Sequence, residues 1–375
     1  MKAHLPSDSS LPTPNEEARL HSTRLTQKII QHLQQENNRM SFAEYMHSAL
    51  YEPGLGYYTA GAQKLGAGGD FVTAPLLSPL FSLCLAHYCS NLLQDLPEKN
   101  ILELGAGTGV MAKEMLLFLE QQALPVHYFI LEVSADLRER QQRYLQQEIP
   151  HLFSRLTWLN TLPRDFIGVI VANEVLDALP VHLFHYQDHA LYEVGVTENS
   201  GQLSFTEYPA SAALCDAVAQ LPLEDVAKID YLSEINLQLP AFIHSLNDAL
   251  KQGAMVFIDY GFDAHTYYHP HRTQGTLMCH YQHRAHGDVF FYPGLQDITA
   301  HVDFTALAQA GLACDLEVEY FSNQARFLLE NGLLDFANNP SYSQSQQINT
   351  LTAPHEMGEL FKVMVLTKGV YNASK

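Results

Sequence analysis

Residues 101–109 read Ile-Leu-Glu-Leu-Gly-Ala-Gly-Thr-Gly and constrain the fold of this chain more than any other stretch. The apolar residues 101–104 predict a short strand, the three glycines predict a tight turn, and residues 110–122 predict a helix. This order lets a ligand approach the backbone beside the N-terminus of a helix. The alternative is a glycine-rich turn that binds nothing.

The spacing of the glycines separates this turn from a dinucleotide-binding loop. A dinucleotide-binding loop has the pattern Gly-x-Gly-x-x-Gly. Here the third glycine, Gly109, comes one residue sooner, and Val110 occupies the position of the third glycine in that pattern. An acidic residue, Glu103, precedes the first glycine by two positions. The pattern Glu-x-Gly-x-Gly-x-Gly resembles motif I of the class I S-adenosylmethionine-dependent methyltransferases.

Strands and helices alternate after the glycine turn, which predicts a doubly wound α/β sheet. The further strands are predicted at residues 127–133, 156–159, 166–172 and 254–259. Residues 314–320 and 361–367 are also strand-like, and the class I methyltransferase resemblance implies that they form an antiparallel edge pair. The fold class is therefore a class I methyltransferase-like sheet with an N-terminal helical extension and inserted hairpin and lid segments.

The regions around this core differ in composition. We expect a loose tail at residues 1–22 and a helical and lid region at residues 23–95, with two helices broken near Asn37 and Asn38. The core then covers residues 96–375, with insertions at about 184–250 and 262–299. Residues 184–208 alternate like a hairpin or meander, residues 262–299 resemble an irregular lid, and the polar residues 338–349 predict a surface loop.

The charge and the cysteines restrict the class of protein. Asp and Glu number 41 against 21 Lys and Arg, for a net charge of −20, which argues against a nucleic-acid ligand and suits a cationic partner. Five cysteines without a Cys-x-x-Cys pair indicate reduced thiols. No apolar run approaches the roughly 18 residues of a membrane span, and no signal peptide is visible. We therefore expect a cytoplasmic enzyme without membrane insertion.

Polar residues after the predicted strands are candidates for cofactor contacts. Glu132 ends the second strand, where a carboxylate can accept both hydroxyls of a ribose; alternatively it faces the dipole of the next helix. Asn160 follows the third strand and is a candidate for an adenine edge, or a plain turn residue. Asp70 and Thr73 lie in a glycine-rich segment that could close over the cofactor, or form a surface loop.

Residues 173–177, Asn-Glu-Val-Leu-Asp, follow the fourth strand and carry the predicted catalytic groups. If the segment is helical, Glu174 and Asp177 share one face and can grip a guanidinium with two carboxylates. Alternatively, Asn173 caps a helix and Glu174 occupies its first turn. The histidines at residues 265–286 match no metal-binding spacing, so we expect no metal.

Ordered motifs along residues 42–368 identify the chain as resembling the MidA-like family, which includes the mitochondrial complex I assembly-factor arginine methyltransferase. The motifs are Gly56-Tyr57-Tyr58, Gly69-Asp70-Phe71-x-Thr73-Ala74-Pro75, the glycine turn, Ala172-Asn173-Glu174-x-x-Asp177-Ala-Leu-Pro-Val181, Ile258-Asp259-Tyr260-Gly261, Thr299-Ala300-His301-Val302-Asp303-Phe304 and Met357-Gly358-x-x-Phe361-Lys-Val363. The chain departs from the family at Leu76 and at Val175-Leu176.

The resemblance implies S-adenosylmethionine as cofactor and an arginine of a partner protein, such as a complex I subunit, as methyl acceptor. The predicted cofactor-binding residues are Glu103, Gly105, Ala106, Gly107, Gly109, Glu132, Asn160, Asp70 and Thr73, and the predicted catalytic residues are Asn173, Glu174 and Asp177. Two alternatives stay open: a cofactor-binding assembly factor or chaperone without turnover, and a small-molecule methyltransferase. The chain could also pair with a second copy of itself.

Overall fold

The computed structural model describes residues 11–60, 73–223 and 229–370. The chain divides into two compact units. The first unit comprises Met1–Phe71, Asp177–Leu239 and Asp263–Asp303, and the second comprises Val72–Leu176, Pro240–Phe262 and Phe304–Lys375. Segments of the first unit therefore interrupt the second at residues 177–239 and 263–303, close to the insertions expected at 184–250 and 262–299.

The helices and strands have the following bounds. The helices are α1 (Glu16–Gln35), α2 (Phe42–Tyr51), α3 (Ala74–Leu77), α4 (Pro79–Gln94), α5 (Val110–Gln121), α6 (Ala135–Glu148), α7 (Ala212–Val218), α8 (Leu239–Ala249), α9 (Ala264–Tyr267), α10 (Phe304–Ala313), α11 (Gln324–Glu330), α12 (Leu333–Phe336), α13 (Tyr342–Thr352) and α14 (Met357–Leu360). The strands are β1 (Met40–Ser41), β2 (Asn100–Leu104), β3 (His127–Leu131), β4 (Leu156–Leu159), β5 (Phe166–Asn173), β6 (His182–Gln187), β7 (Ala190–Asn199), β8 (Gln202–Pro209), β9 (Tyr231–Ile235), β10 (Leu250–Phe262), β11 (Met278–Tyr281), β12 (Arg284–His286), β13 (Asp297–Thr299), β14 (Val302–Asp303), β15 (Glu317–Asn323) and β16 (Phe361–Lys368).

The second unit contains a central sheet with the order β4-β3-β2-β5-β10-β16-β15. Strands β4, β3, β2, β5 and β10 are parallel, and β16 pairs antiparallel with both β10 and β15. The predicted doubly wound sheet and its antiparallel edge pair are thus confirmed. The chain order reverses between β2 and β5, and a sheet of this kind binds ligands outside the carboxyl ends of the strands at that point.

The first unit contains a meander in which β7 pairs with β6 and β8, and β6 pairs with β9. Its turns lie at residues 188–189 and 200–201, where Asp188, His189, Ser200 and Gly201 adopt positive φ angles, so the meander interpretation is confirmed. A second small sheet has the order β12-β11-β13 and occupies part of the segment expected to be an irregular lid. Helices α1 and α2 pack their buried apolar residues in the same hydrophobic core as residues of these two sheets.

Two boundaries differ from the sequence prediction, and one agrees with it. Helix α1 begins at Glu16 inside the expected tail, because Asn15 caps it and acidic residues occupy its first turn. The predicted break after α1 is confirmed by positive φ angles at Asn37 and Asn38. The surface loop expected at residues 338–349 is wrong, because Ser341 and Gln344 form a capping box that starts α13.

No helix within the described ranges is both long and apolar enough to cross a bilayer.

Candidate functional site

The glycine turn joins β2 to α5 at the carboxyl edge of the sheet. Gly105, Gly107 and Gly109 have φ angles of +63°, +55° and +83°, a region that glycine adopts without the steric cost of a Cβ. The N–H of Gly105 donates to the carbonyl oxygen of Leu131 at 3.0 Å, which fixes the turn to the end of β3. Gly109 occupies the N-cap of α5 and supplies no side-chain cap, so the helix presents its first N–H groups at this edge.

Gln141 of α6 connects the glycine turn to Glu132. Its Nε2 donates to the Gly107 carbonyl oxygen and to Glu132 Oε2, both at 3.0 Å, and its Oε1 accepts the indole N–H of Trp158 at 3.0 Å. Glu132 Oε1 also accepts the Ser134 N–H at 2.9 Å, and burial raises the pKa of its carboxyl. Gln141 is fully buried, so the amide holds the turn and the carboxylate in one fixed arrangement.

These residues fit the adenosyl part of S-adenosylmethionine. A carboxylate has about four acceptor positions, so Glu132 keeps capacity for a ribose hydroxyl beside its internal bonds, which include those from Ser134 and Gln141. The next residue, Val133, is 69% exposed and offers an apolar surface suited to a purine ring. Asn160 is exposed, and its Oδ1 accepts from Arg138, so its contact with an adenine edge stays a prediction.

Glu103 lies inside the second unit rather than at the surface of the turn. Glu103 is 2% exposed, and its Oε2 accepts a hydrogen bond from the hydroxyl of Tyr128 on β3 at 2.8 Å. Burial raises the pKa of this carboxyl to about 8, and Glu132 contributes in the same direction. Ala106 of the turn is also buried. Direct cofactor contact by Glu103 therefore stays a prediction.

Glu103→Gln should make the stability of the protein less dependent on pH. The pKa of Glu103 in the folded chain, about 8, exceeds its ordinary value of 4.5. Stability linked to this group is therefore fully present below the unfolded pKa and lost as pH rises through the folded pKa. Glutamine stays neutral and can still accept from Tyr128, so we expect the stability of the variant relative to the parent to rise by roughly 4 kcal/mol between pH 5 and pH 9.

Urea unfolding of parent and variant between about pH 5 and pH 9 measures this difference. Parallel stability profiles would show that Glu103 does not carry the pH dependence.

The segment after β5 is a loop, so the helical interpretation of residues 173–177 and the N-cap alternative are both wrong. Glu174 has a φ of +52°, which is unusual for a residue with a side chain. Strand β10 imposes this conformation, because the Glu174 N–H donates to the Ile258 carbonyl oxygen at 2.9 Å and Asp259 accepts the Leu176 N–H at 3.0 Å. The loop is thus held from two sides.

Asn173 lies beside Glu174 at the carboxyl end of β5. Its Nδ2 donates to Glu174 Oε1 at 3.1 Å, while its buried Oδ1 has no hydrogen-bond partner among the described residues. An acceptor without a partner at this edge of the sheet fits a ligand that brings a donor. A Cβ placed on Gly105 would lie 3.5 Å from Val175, so the glycine turn and this loop adjoin.

The remaining predicted residues lie elsewhere or outside the described ranges. Asp177 is buried and begins a segment of the first unit, where its carbonyl oxygen accepts the Ala300 N–H at 3.0 Å. Thr73 is the N-cap of α3 and makes no side-chain capping bond. Asp70 lies outside the described residues.

Two other features of the described residues bear on the site. No group of three or more His, Cys, Asp or Glu residues is arranged there to hold a metal ion. A cavity of about 760 Å³ lies in the first unit between α1, α2 and the meander, and none of the predicted site residues lines it.

Comparison with known proteins defines the family. Residues 84–322 match the model of a family of S-adenosyl-L-methionine-dependent methyltransferases. The chain belongs to this family, and S-adenosylmethionine is the family's cofactor. The crystal structure of a COG1565 superfamily member from Burkholderia thailandensis bound to S-adenosyl-homocysteine is similar, with a TM-score of 0.92, 40% identity and 97% of both chains covered. The predicted cofactor and the MidA-like resemblance are thereby confirmed.

Curated relatives extend the similarity over most of the chain. The mitochondrial protein arginine methyltransferase NDUFAF7 of Danio rerio is 28% identical over 91% of this chain and 87% of its own length. The protein of the same name from Homo sapiens is 28% identical over 87% of this chain and 80% of its own length. Because these relatives are mitochondrial proteins, the expectation of a cytoplasmic protein is wrong; charge and cysteine content do not distinguish the two compartments.

Two site residues were missed by the sequence analysis. Gln141 lies on the buried face of a helix whose other residues are mostly charged or polar, and its spacing from Glu132 carries no motif. Asp259 was noted only as part of the motif Ile258-Asp259-Tyr260-Gly261. The sequence does carry a signal for Asp259, which is the polar residue at the carboxyl end of the apolar run 254–259. Asp259 is 1% exposed in the structure.

Proposed function

We propose that the protein transfers the methyl group of S-adenosylmethionine to a guanidinium nitrogen of an arginine in a partner protein. The observation that carries this proposal is the Asn173-Glu174 loop, where Glu174 is held in a left-handed backbone conformation and the next residue, Val175, adjoins the glycine turn. Such backbone strain concentrates at functional sites. The protein arginine methyltransferases that resemble this chain over most of its length support the same acceptor.

S-adenosylmethionine, when bound, supplies an electrophilic methyl group on a positively charged sulfur. The glycine turn, Glu132 and Gln141 would hold its adenosyl part. An arginine side chain stays protonated at neutral pH, so a carboxylate attracts it without first removing a proton. Glu174 would orient the guanidinium and stabilise its charge, so that catalysis comes mainly from alignment and charge placement.

Asp177, three residues further along the chain, is the second carboxylate proposed for the acceptor. A respiratory complex I subunit as acceptor and a homodimer as active form stay predictions from the sequence resemblance.

Transfer to arginine is tested with purified protein, methyl-labelled S-adenosylmethionine and the proteins that co-purify with it. Label should appear in a partner protein and should be recovered as methylarginine after acid hydrolysis. Label recovered only in small molecules, or in methylated lysine or carboxyl groups, would contradict the proposal. Binding of S-adenosyl-homocysteine without transfer would instead indicate an assembly factor.

A further inference from the structure

The cavity of about 760 Å³ in the first unit has a lining that is mostly polar or charged, and we call it the α1–α2 cavity. Its lining residues all belong to the first unit, on α1, β1 and α2 and on the meander with the residues that follow its strands. A cavity of this volume accommodates a small ligand or a few side chains of a peptide. It shares no residue with the cofactor and transfer site, so it is open to a ligand of its own.

Glu193 is the buried acidic residue of this cavity. It is 4% exposed, and its Oε1 lies 2.8 Å from His182 Nδ1. Tyr208 pairs in register with Glu193 across β7 and β8, so the two side chains lie on one face of the meander. Gly195 leaves room for the ring, because a Cβ there would lie 2.8 Å from the Tyr208 hydroxyl oxygen. Packing and pairing therefore fix a carboxylate and an aromatic ring side by side.

The charge of the α1–α2 cavity favours a cation. Three of its described lining residues are glutamates, Glu36, Glu44 and Glu193, and Arg39 is the only lysine or arginine among them. With the histidines counted as neutral, three negative charges and one positive charge leave a net charge of −2. Burial and the charges of Glu193 and Glu44 raise the pKa of Tyr208, so its hydroxyl stays neutral. A cleft lined by one sign of charge concentrates ligands of the opposite sign.

Arg39 shows which group the cavity attracts. Its guanidinium carbon lies 4.8 Å from the centre of the Tyr208 ring, the arrangement in which an aromatic face attracts a cation. Arg39 is exposed and lies between α1 and β1, so its side chain can turn toward solvent. The chain thus places a cation of its own on the ring beside Glu193, at a position that another cation can take.

We propose that the α1–α2 cavity binds a basic segment of a partner protein, whose lysine or arginine side chain replaces Arg39 at the Tyr208 ring. The carboxylates of Glu36, Glu44 and Glu193 would surround the incoming charge. The net charge of −20 on the whole chain favours a cationic partner in the same way. This inference is independent of methyl transfer, because it concerns a different set of residues in the other unit.

The test is calorimetric titration of the full chain with acetyl-Gly-Lys-Gly-Lys-Gly-amide, and the control peptide carries acetylated, neutral lysines. Glu36→Gln combined with Glu44→Gln should weaken binding of the lysine peptide by about 10-fold or more, because two of the three carboxylates lose their charge. Glutamine also closes a capping box, so the start of α2 at Ser41 is retained. The matched control, Asp188→Asn combined with Asp216→Asn, changes two exposed residues of the first unit outside the cavity and should stay within about 2-fold.

Arg39→Gln should change the affinity in the opposite direction. It removes both the internal competitor for the Tyr208 ring and a like charge, so the lysine peptide should bind about 3-fold tighter or more. A purely structural Arg39 would instead give a lower melting temperature with unchanged or weaker peptide binding, and that result would overturn the proposed replacement.

Binding at the acceptor site of the second unit is distinguished by Glu174→Gln, which should leave the affinity for the lysine peptide within about 2-fold. A loss in Glu174→Gln without a loss in the cavity variant would assign the peptide to the acceptor site and overturn the inference. Equal binding of the acetylated peptide, or an equal loss in the matched control, would overturn it as well. Absent methylarginine in the transfer assay would contradict the proposed function and leave this binding unchanged.

Discussion

Glu174→Gln should lower kcat for methyl transfer about 100- to 1,000-fold while S-adenosyl-homocysteine binds with its original affinity. The substitution keeps the size of the side chain and removes its charge. Hydrogen bonds of the main chain and of Asp259 hold the loop, so its conformation does not depend on the Glu174 carboxylate. The charge that attracts the cationic acceptor is lost, while the amide oxygen of glutamine can still accept from Asn173. Single-turnover transfer measures kcat, and calorimetric titration measures cofactor affinity.

The matched control for this experiment is Asp188→Asn. Asp188 lies in the exposed β6–β7 turn and has a φ of +50°, close to the +52° of Glu174. Both variants therefore neutralise a carboxylate on a left-handed residue, but only one lies beside the glycine turn. Undiminished turnover in Glu174→Gln, or an equal loss in Asp188→Asn, would remove Glu174 from the catalytic assignment.

Gly107→Val should weaken S-adenosyl-homocysteine binding by about 100-fold or more, because a branched side chain opposes the left-handed conformation and fills space beside the cofactor loop. Gly107 has a φ of +55°, and its carbonyl oxygen accepts the buried amide of Gln141. A shift of this residue therefore also disturbs the position of Glu132. Calorimetry with S-adenosyl-homocysteine gives the dissociation constant directly.

Gly201→Val separates backbone strain from the loss of a binding site. Gly201 also has a positive φ, +83°, and a Cβ there would meet no atom within 4 Å. We expect it to lower stability by about 1–2 kcal/mol without changing cofactor affinity. Equal affinities for the parent and Gly107→Val would mean that the glycine turn does not form the cofactor site.

The core sheet was predictable because its signals are local. Buried parallel strands such as β5 and β10 contain continuous apolar runs, and the glycine turn is marked by spacing alone. The antiparallel pair of β15 and β16 came from family resemblance. Helix boundaries were less accurate where a polar cap rather than an apolar pattern starts the helix, as at Asn15 and Ser341.

The candidate site was predictable only where its residues follow strands. Glu132 and Glu174 come directly after strands of the sheet and Asn173 ends one, so topology places them at its carboxyl edge. The left-handed conformation of Glu174 depends on a hydrogen bond to Ile258, more than 80 residues away in the chain. Likewise, Tyr58 and Asp297 are 239 residues apart, and no local pattern indicates that they meet.

The bond between Trp158 and Gln141 gives the cofactor loop its own optical signal. Trp158 is the single tryptophan of the chain, and its indole N–H donates to the amide that also contacts Gly107 and Glu132. Fluorescence of the native protein excited near 295 nm thus comes from one ring at the back of this loop. Any movement of Gln141 when the adenosyl group arrives should change the emission of that ring, so binding and release can be followed in real time without a label.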